Sequence, residues 1–591
     1  MPSLLTYIRT IFFSVFSALL FHSASLSPYA FGSGKGQFDG PAELPRVYVS
    51  SSLAETPNRG RIRSVNAGNN LQQAIDNAAC GDTIRLQAGA TFTGRFVFPA
   101  KSCDDSHWIT LRTSAPDSAL PPEGQRLTPC YAGVNSLPGR PDFRCSSTEN
   151  VLARLEFAAN GGAGPVVFAA GANHYRFIGL EVTRAPGGAI YNLVSLEPKG
   201  TADHLVFDRL WIHGLAQEET TRGLQLGEST YVAIVDSFFS DFHCIAVSGA
   251  CTDSQAIAGG NGDKPMGPYK IVNNFLEAAA EDIIFGGGPA TLTAADIEIR
   301  HNHLFRPMNW MPGHSQFIGG RDGHAFIVKN DFELKNAKRV LLEGNVMENS
   351  WGGFSQKGFA ILLTPKNPRP SACDSCRVTD VTIRYNRIKH MASGFQLANG
   401  LSDNGSAAAD GGRYSIHDNV LEDIDSALYN GSGNFAMISG LVPSLHDVLM
   451  DHNTGFAPNA LLNLGAKITV SKISNFVFTN NLVGAGARGL ISIGGSTNCA
   501  FQAEKQGPSG VLGNCFSDYK FTHNCIVGGY DFPKGNILLK NLEAVGFSKL
   551  QQSRVFDHHL RSGTRCKNAA TDGKDLGADI DLVDSATAGV L

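Results

Sequence analysis

Val340-Leu341-Leu342-Glu343-Gly344-Asn345, Val381-Thr382-Ile383-Arg384-Tyr385-Asn386 and Tyr414-Ser415-Ile416-His417-Asp418-Asn419 are successive copies of one degenerate unit. In each, apolar side chains alternate with others over a short run that closes on Asn. Upstream stand Leu205-Val206-Phe207-Asp208, Ala233-Ile234-Val235-Asp236, Lys270-Ile271-Val272-Asn273-Asn274 and Ile297-Glu298-Ile299-Arg300-His301-Asn302. Downstream stand Val448-Leu449-Met450-Asp451-His452-Asn453, Phe476-Val477-Phe478-Thr479-Asn480-Asn481 and Tyr519-Lys520-Phe521-Thr522-His523-Asn524. From Asp208 the closing residues lie 28, 38, 28, 43, 41, 33, 34, 28 and 43 residues apart. Irregular periods in this range describe a solenoid whose coils carry loops of unequal length.

The period within each run is two, so its side chains alternate between an inner and an outer face. The inner set is Val, Ile, Leu and Phe, which suit a pleated, half-buried surface. At a tight corner, Asn tolerates unusual backbone angles and bonds nearby backbone groups. Stacked coil on coil, such amides also bond one another. A helical solenoid would need longer amphipathic stretches, and a β-sandwich gives no account of the recurring Asn. The expectation is therefore an all-β fold, a parallel β-helix. Residues 70–78 read as a short amphipathic helix that caps its open N-terminal end, shielding strand edges. Cap, first coil (Cys80 to Phe98) and Asn-closed repeats resemble the right-handed parallel β-helix proteins of the pectin-lyase-like class, over about residues 64–530. That class holds lyases, hydrolases, epimerases, esterases and non-catalytic adhesins, so the resemblance implies a fold and leaves the chemistry open.

Charged residues are 17% of the chain, against ~25% in an average soluble domain, and Gly is abundant at 65 of 591 residues. Both suit turn-rich β-structure. A net charge of −4 and the absence of a Lys/Arg block give no reason to expect nucleic acid. Arg9, an apolar run from Ile11 to Phe21, and then Ser23-Ala24-Ser25 follow the order of a secretory signal, with cleavage near Ala24. The run is shorter than the ~20 residues that span a bilayer. The expected organisation is a signal peptide (1–24), a poorly ordered leader (25–60), the β-helix (61–530), and a C-terminal cap with a loose acidic tail (531–591). The mature chain is expected to be a secreted monomer without a membrane span. Twelve cysteines suit an oxidising compartment. Proximity suggests the pairs Cys80–Cys103, Cys130–Cys145, Cys244–Cys251, Cys373–Cys376, Cys499–Cys515 and Cys525–Cys566. Cys373 and Cys376 alternatively form half a zinc site.

A groove along one sheet, walled by the longest coils, is the expected place for chemistry, with an extracellular polysaccharide as partner. The adjoining long coils from Asn302 to Asn386 contain Trp310 and Trp351, rings of the kind that stack on sugar faces. On the lining strands, Asp282, Glu333, Lys335, Thr364 and Gln396 are expected to point outward, on coils about 4.8 Å apart. A polysaccharide lyase must remove a proton next to a uronate carboxylate. Lys335 is the candidate base, if its neighbours lower its pKa, and Arg339 and Lys366 are candidates to grip the sugar acid. Glu281, Asp282 and Glu333 are candidate Ca²⁺ ligands. A glycoside hydrolase would instead use two carboxylates, Asp282 with Glu333. His303, His314, His324 and His390 lie near the same coils.

Family motifs do not decide between these chemistries. Arg387-Ile388-Lys389 copies a short polygalacturonase motif, but that family's paired-Asp and Gly-His-Gly motifs are missing. Alginate-lyase-like β-helix enzymes carry Lys-Ser where Phe285-Gly286 stands here, so their catalytic residues are not carried over. The reading is a polysaccharide lyase, with a hydrolase or a non-catalytic glycan-binding protein as alternatives.

Overall fold

The computed structural model describes residues 37–591 apart from 160, 199, 246–250, 403–404, 441, 466–471, 493–497, 502 and 552–553. The expected signal peptide lies outside the described residues. Three long parallel sheets form a right-handed parallel β-helix. Sheet I has 14 strands, from Ile62–Val65 to Tyr519–Thr522. Sheet II has 14, from Thr91–Thr93 to Ile537–Leu539, and sheet III has 12, from Phe96–Phe98 to Leu490–Ser492. Each coil visits the sheets in turn, as in Ala172–Ile178, Leu180–Arg184 and Ile190–Leu196. Sequence repeats become stacked neighbours, with Val340 beside Val381 and Val381 beside Tyr414. Their inward side chains form one continuous core, from Val65 to Phe532.

The Asn residues make the expected ladder at the corner between sheets I and II. The Nδ2 of Asn274, Asn302 and Asn345 each donates to the Oδ1 of the next, ending on Asn386, at 3.0 Å per step. The chain of amides continues through Asn419, Asn453, Asn481 and Asn524 to Asn536. Every member is buried or half-buried and fully bonded, which low local dielectric makes valuable. Two details differ from the expectation. The left-handed backbone belongs to the residue before the ladder Asn, as at Asn273, His301, Tyr385 and Asp418. Asp208 and Asp236 stand outside the ladder, where Ser237 takes the slot and its N–H donates to Asn274 Oδ1. Asp208 instead pairs with Arg176 and Arg209.

The helix Leu71–Asp76, capped by the Asn70 side chain, buries Leu71 and Ile75 in the first-coil end of the core. All six cysteine pairs expected from proximity are disulfides, which removes the zinc reading of Cys373 and Cys376. No described helix is long and apolar enough to cross a membrane.

Two segments read as loose are laid along the solenoid. Residues 37–60, expected as a poorly ordered leader, cross sheet I. Asp39 bonds Arg384 and His417, Glu43 N–H donates to Asp380, and Arg46 N–H donates to Asp296. The expected loose tail after Asp572 runs back along the Asn corner in the reverse direction of the coils. Gly577 N–H reaches Asn480, Asp579 N–H reaches Asp418, His301 reaches Ala588 O, and Arg126 reaches Val590 O. Its helix Ile580–Thr587 buries Ile580 and Val583 against Val420. Composition alone hid both segments, because their polar groups are satisfied by residues hundreds of positions away.

Candidate functional site

Sheet III supplies the site. In its strands Glu281–Phe285, Phe332–Leu334 and Phe359–Leu363, Ile283, Phe332 and Ile361 stack inward. The adjoining outer row runs Ile284, Glu333, Leu362, Gln396. Glu333 therefore faces outward as expected. Its Oε1 accepts from Thr364 Oγ1 at 3.1 Å and lies 3.2 Å from Lys335 Nζ. A second row pairs Arg222, Gln255 and Glu281. Gln255 Nε2 donates to Glu281 Oε2 at 2.8 Å, and Lys329 Nζ bridges Asp253 (2.5 Å) and Glu281 (3.5 Å). The two rows make one group of carboxylates and cations: Asp253, Glu281, Glu333, Arg222, Lys329 and Lys335.

The electrostatics of the group are asymmetric. Burial raises the Glu281 carboxyl to about 7, against the counter-pull of Lys329 and with added push from Asp253 and Glu333. Burial alone would lower Lys335, but the charge of Glu333 and then of Glu281 raises it overall. The expected neutral lysine base is thus not formed; Lys335 is held as a cation. Lys329 is raised in the same way by Glu281 and Asp253. Burial depresses Arg222, opposed by Asp253 and Glu281, and its Nε makes no hydrogen bond within the protein. Glu281 Oε1 and Glu333 Oε2 are also buried without a hydrogen-bond partner. Such orphaned acceptors are costly unless something binds them.

Several expected site residues lie elsewhere. Asp282 turns away from the group at an irregular step of the strand, where Asp282 N–H and Ile283 N–H both donate to Asp331 O. Its Oδ1 accepts from Ala278 N–H at 2.7 Å, and its carboxyl is raised by burial, opposed by Arg306 and reinforced by Asp331. The charges that act on it are those of Arg306, Asp331 and Glu277. Among the described residues no three His, Cys, Asp or Glu side chains converge on this face. The Lys329 ammonium sits between carboxylates instead. Trp310 and Trp351 are buried under the Arg140 and Arg306 guanidinium groups and offer no face to a sugar. Arg339 belongs to sheet I, where it grips Asp296 through two hydrogen bonds. His303 pairs with Glu348, His324 with Asp322 and His390 with Asp423, and none of them touches the group.

Lys366 and Gln396 remain on the same face. Lys366 N–H donates to Lys335 O on the neighbouring coil, and Gln396 is separated from Glu333 by Leu362 alone. Residues that the sequence did not single out complete the surface: Arg222, Asp253, Gln255, Lys329 and Phe354. Phe354 is 54% exposed, and its ring centre lies 5.9 Å from Lys329 Nζ. It is the exposed aromatic ring that Trp310 and Trp351 were expected to supply. Lys329 follows a long loop without strand alternation, so no period marked it.

Neither a family model nor a curated protein matches this chain. Solved structures with a similar coil path include the PL6 family alginate lyase AlyGC, at 12% identity and a TM-score of 0.41, covering 90% of this chain and 59% of that one. The pectate lyase Pel9A has 12% identity and a TM-score of 0.35, covering 89% and 97%. An alginate lyase from Paenibacillus sp. str. FPU-7 has 13% identity and a TM-score of 0.29, covering 73% and 98%. At these values the likeness carries no argument, and the site rests on its own residues.

Proposed function

We propose that this protein is a secreted polysaccharide lyase that cleaves an acidic glycan by β-elimination on the outer face of sheet III. The observation that carries the reading is the grouping of Glu281 and Glu333, each with a buried oxygen that accepts no hydrogen bond, among the cations Arg222, Lys329 and Lys335. A neutral glycan has no use for clustered cations; a uronate does. Removing the proton next to a sugar carboxylate builds negative charge on that group, and fixed cations stabilise it most where water is excluded. Lys335 and Arg222 suit that task because neither is fully buried: the Lys335 side chain is 17% exposed and Arg222 is half-buried.

Glu281 is the proton-transfer group in this reading. A carboxyl near 7 is balanced between accepting and donating, which is the condition for general acid–base catalysis at neutral pH. As base it takes the proton on the carbon next to the carboxylate, that electron pair forms the new carbon–carbon double bond, and the neighbouring C–O bond breaks. The departing oxygen takes up a proton, leaving an unsaturated sugar and a new reducing end. Gln255 holds Glu281 Oε2, and Oε1, which accepts no hydrogen bond and lies 3.5 Å from Lys329 Nζ, is the oxygen assigned to the transfer. Phe354 offers a ring face, and Gln396 and Lys366 extend the polar strip along the coils. Six disulfides and the signal-like N-terminus suit export of such an enzyme.

The test is a screen of purified protein on acidic and neutral polysaccharides, with Ca²⁺ or with a chelator, following ultraviolet absorbance and reducing ends together. Absorbance with reducing ends on a uronate polymer is the expected result. Reducing ends alone would make it a hydrolase, and binding without either signal would make it a glycan-binding protein.

A further inference from the structure

On sheet I, three coils from its first strand, two histidines occupy equivalent positions. Asn173 pairs with Asp203 and Tyr175 with Leu205, so His174 and His204 fall at the same bulged step, with φ of 56° and 50°. Left-handed backbone at this step turns each side chain out of the pleat. The two rings stack 4.5 Å apart at 4°, with Tyr231 of the next coil stacked 4.6 Å beyond and the edge of Trp108 5.0 Å before. Asp105, from the loop after Cys103, meets both: its Oδ1 is 3.2 Å from His174 Nε2 and 3.8 Å from His204 Nε2. The three ligand atoms lie within 4.8 Å of one another.

The hydrogen-bond inventory gives this group its meaning. His174 Nδ1 is 2.9 Å from Asn173 Oδ1, and the Asn173 amide orientation is fixed because Nδ2 donates to Lys101 O and Gly171 O. His204 Nδ1 is 2.5 Å from Asp203 Oδ1. Both partners are acceptors, so both Nδ1 atoms carry the hydrogen. In a neutral imidazole the other nitrogen is then a bare lone pair. Both Nε2 lone pairs thus face the acceptor-only carboxylate of Asp105, and a cation is the missing member. Protonating one ring supplies a hydrogen but puts charge against the neighbouring ring. A divalent ion serves all three groups at once. Acceptors on the far nitrogen, as Asn173 and Asp203 are here, are the usual support for metal-bound histidines.

We propose that Asp105, His174 and His204 bind a divalent transition-metal ion of the zinc class, with water completing a four-coordinate site. Two imidazole nitrogens and one carboxylate oxygen are within zinc's ligand set, at bond lengths of about 2.0–2.2 Å. Closing on one ion needs a tilt of His204, the more exposed ring, and a rotation of the exposed Asp105. The site ties the 104–108 loop to two coils of sheet I. It lies on a different sheet from Glu281 and Glu333, so it serves stability and stands apart from the proposed chemistry.

The experiment uses the full mature chain without an affinity tag, stripped by chelator and titrated with Zn²⁺, with melting temperature read in parallel. The expected result is one equivalent bound and a raised melting temperature. Asp105→Asn and His204→Gln, both at accessible positions, should each weaken binding by at least about tenfold, and Asp203→Asn by about tenfold. Absence of stoichiometric Zn²⁺ binding by the stripped wild-type chain would overturn the proposal. So would binding unchanged in both Asp105→Asn and His204→Gln.

Discussion

Lys335 directly follows the strand Phe332–Leu334 and Glu281 opens the neighbouring strand, and their different neighbours give them opposite tasks. Lys335, held charged by Glu333, is assigned to the substrate carboxylate. Lys335→Met should therefore lower kcat/KM on a uronate polymer by about 100-fold, the scale of losing one charge-stabilising group. Arg339→Met, which breaks a pair with Asp296 on sheet I, should leave kcat/KM within about twofold. Steady-state kinetics on both variants checks the pair of outcomes. Glu281, raised to about 7 by burial, must be ionised to act as base. The pH profile of kcat/KM should accordingly rise with a midpoint near 7 and fall away in acid. Alternation in the sequence identified Glu333 and Lys335 but misplaced Asp282, because the strand departs from strict alternation there, with Asp282 N–H and Ile283 N–H sharing Asp331 O. The group needs Glu281, its neighbour, and Lys329, whose loop has no period to read.

The Asn corner is the element most legible in the sequence, because each member repeats in kind as well as in position. Asn345 shows why the residue type is demanded. Its Nδ2 donates to Ile299 O, Glu343 O and Asn386 Oδ1, and its Oδ1 accepts from both Asn302 nitrogens. Asn345→Ala would leave several buried groups without partners, at a cost of about 2–4 kcal/mol. Chemical denaturation should show a lowered midpoint of that size, with neighbouring coils opening first in hydrogen exchange. The early coils were less legible: Asp208 and Asp236 share the spacing but not the slot, and Ser237 has no signature that separates it from any loop serine.

At the scale of the molecule, the solenoid is braced along its length by its own ends. The C-terminal segment crosses the Asn corner from Asn480 back to Arg126, burying Ile580, Val583 and Val590. At about 1.5–3 kcal/mol for each buried side chain, removing residues 571–591 should cost several kcal/mol. Thermal unfolding of the truncated chain should occur at a lower temperature, with added hydrogen exchange along the corner from Asn302 to Asn481. The sequence fell short here because straps have no periodicity. Their Gly, Ser, Asp and Ala content resembles that of free tails, and only the distant coils show that they are held. The sheets, by contrast, are built from local alternation repeated many times, which is why their architecture could be read before the site on them.

The central claim is that Glu281 on sheet III performs proton transfer in a β-elimination. The most direct measurement is the growth of ultraviolet absorbance from a uronate polysaccharide with wild-type protein and with Glu281→Gln at matched concentration and matched melting temperature. The account predicts unsaturated product from the wild type and a loss of at least about 100-fold in the variant, the scale of a missing general base. Equal rates in the two proteins would contradict it.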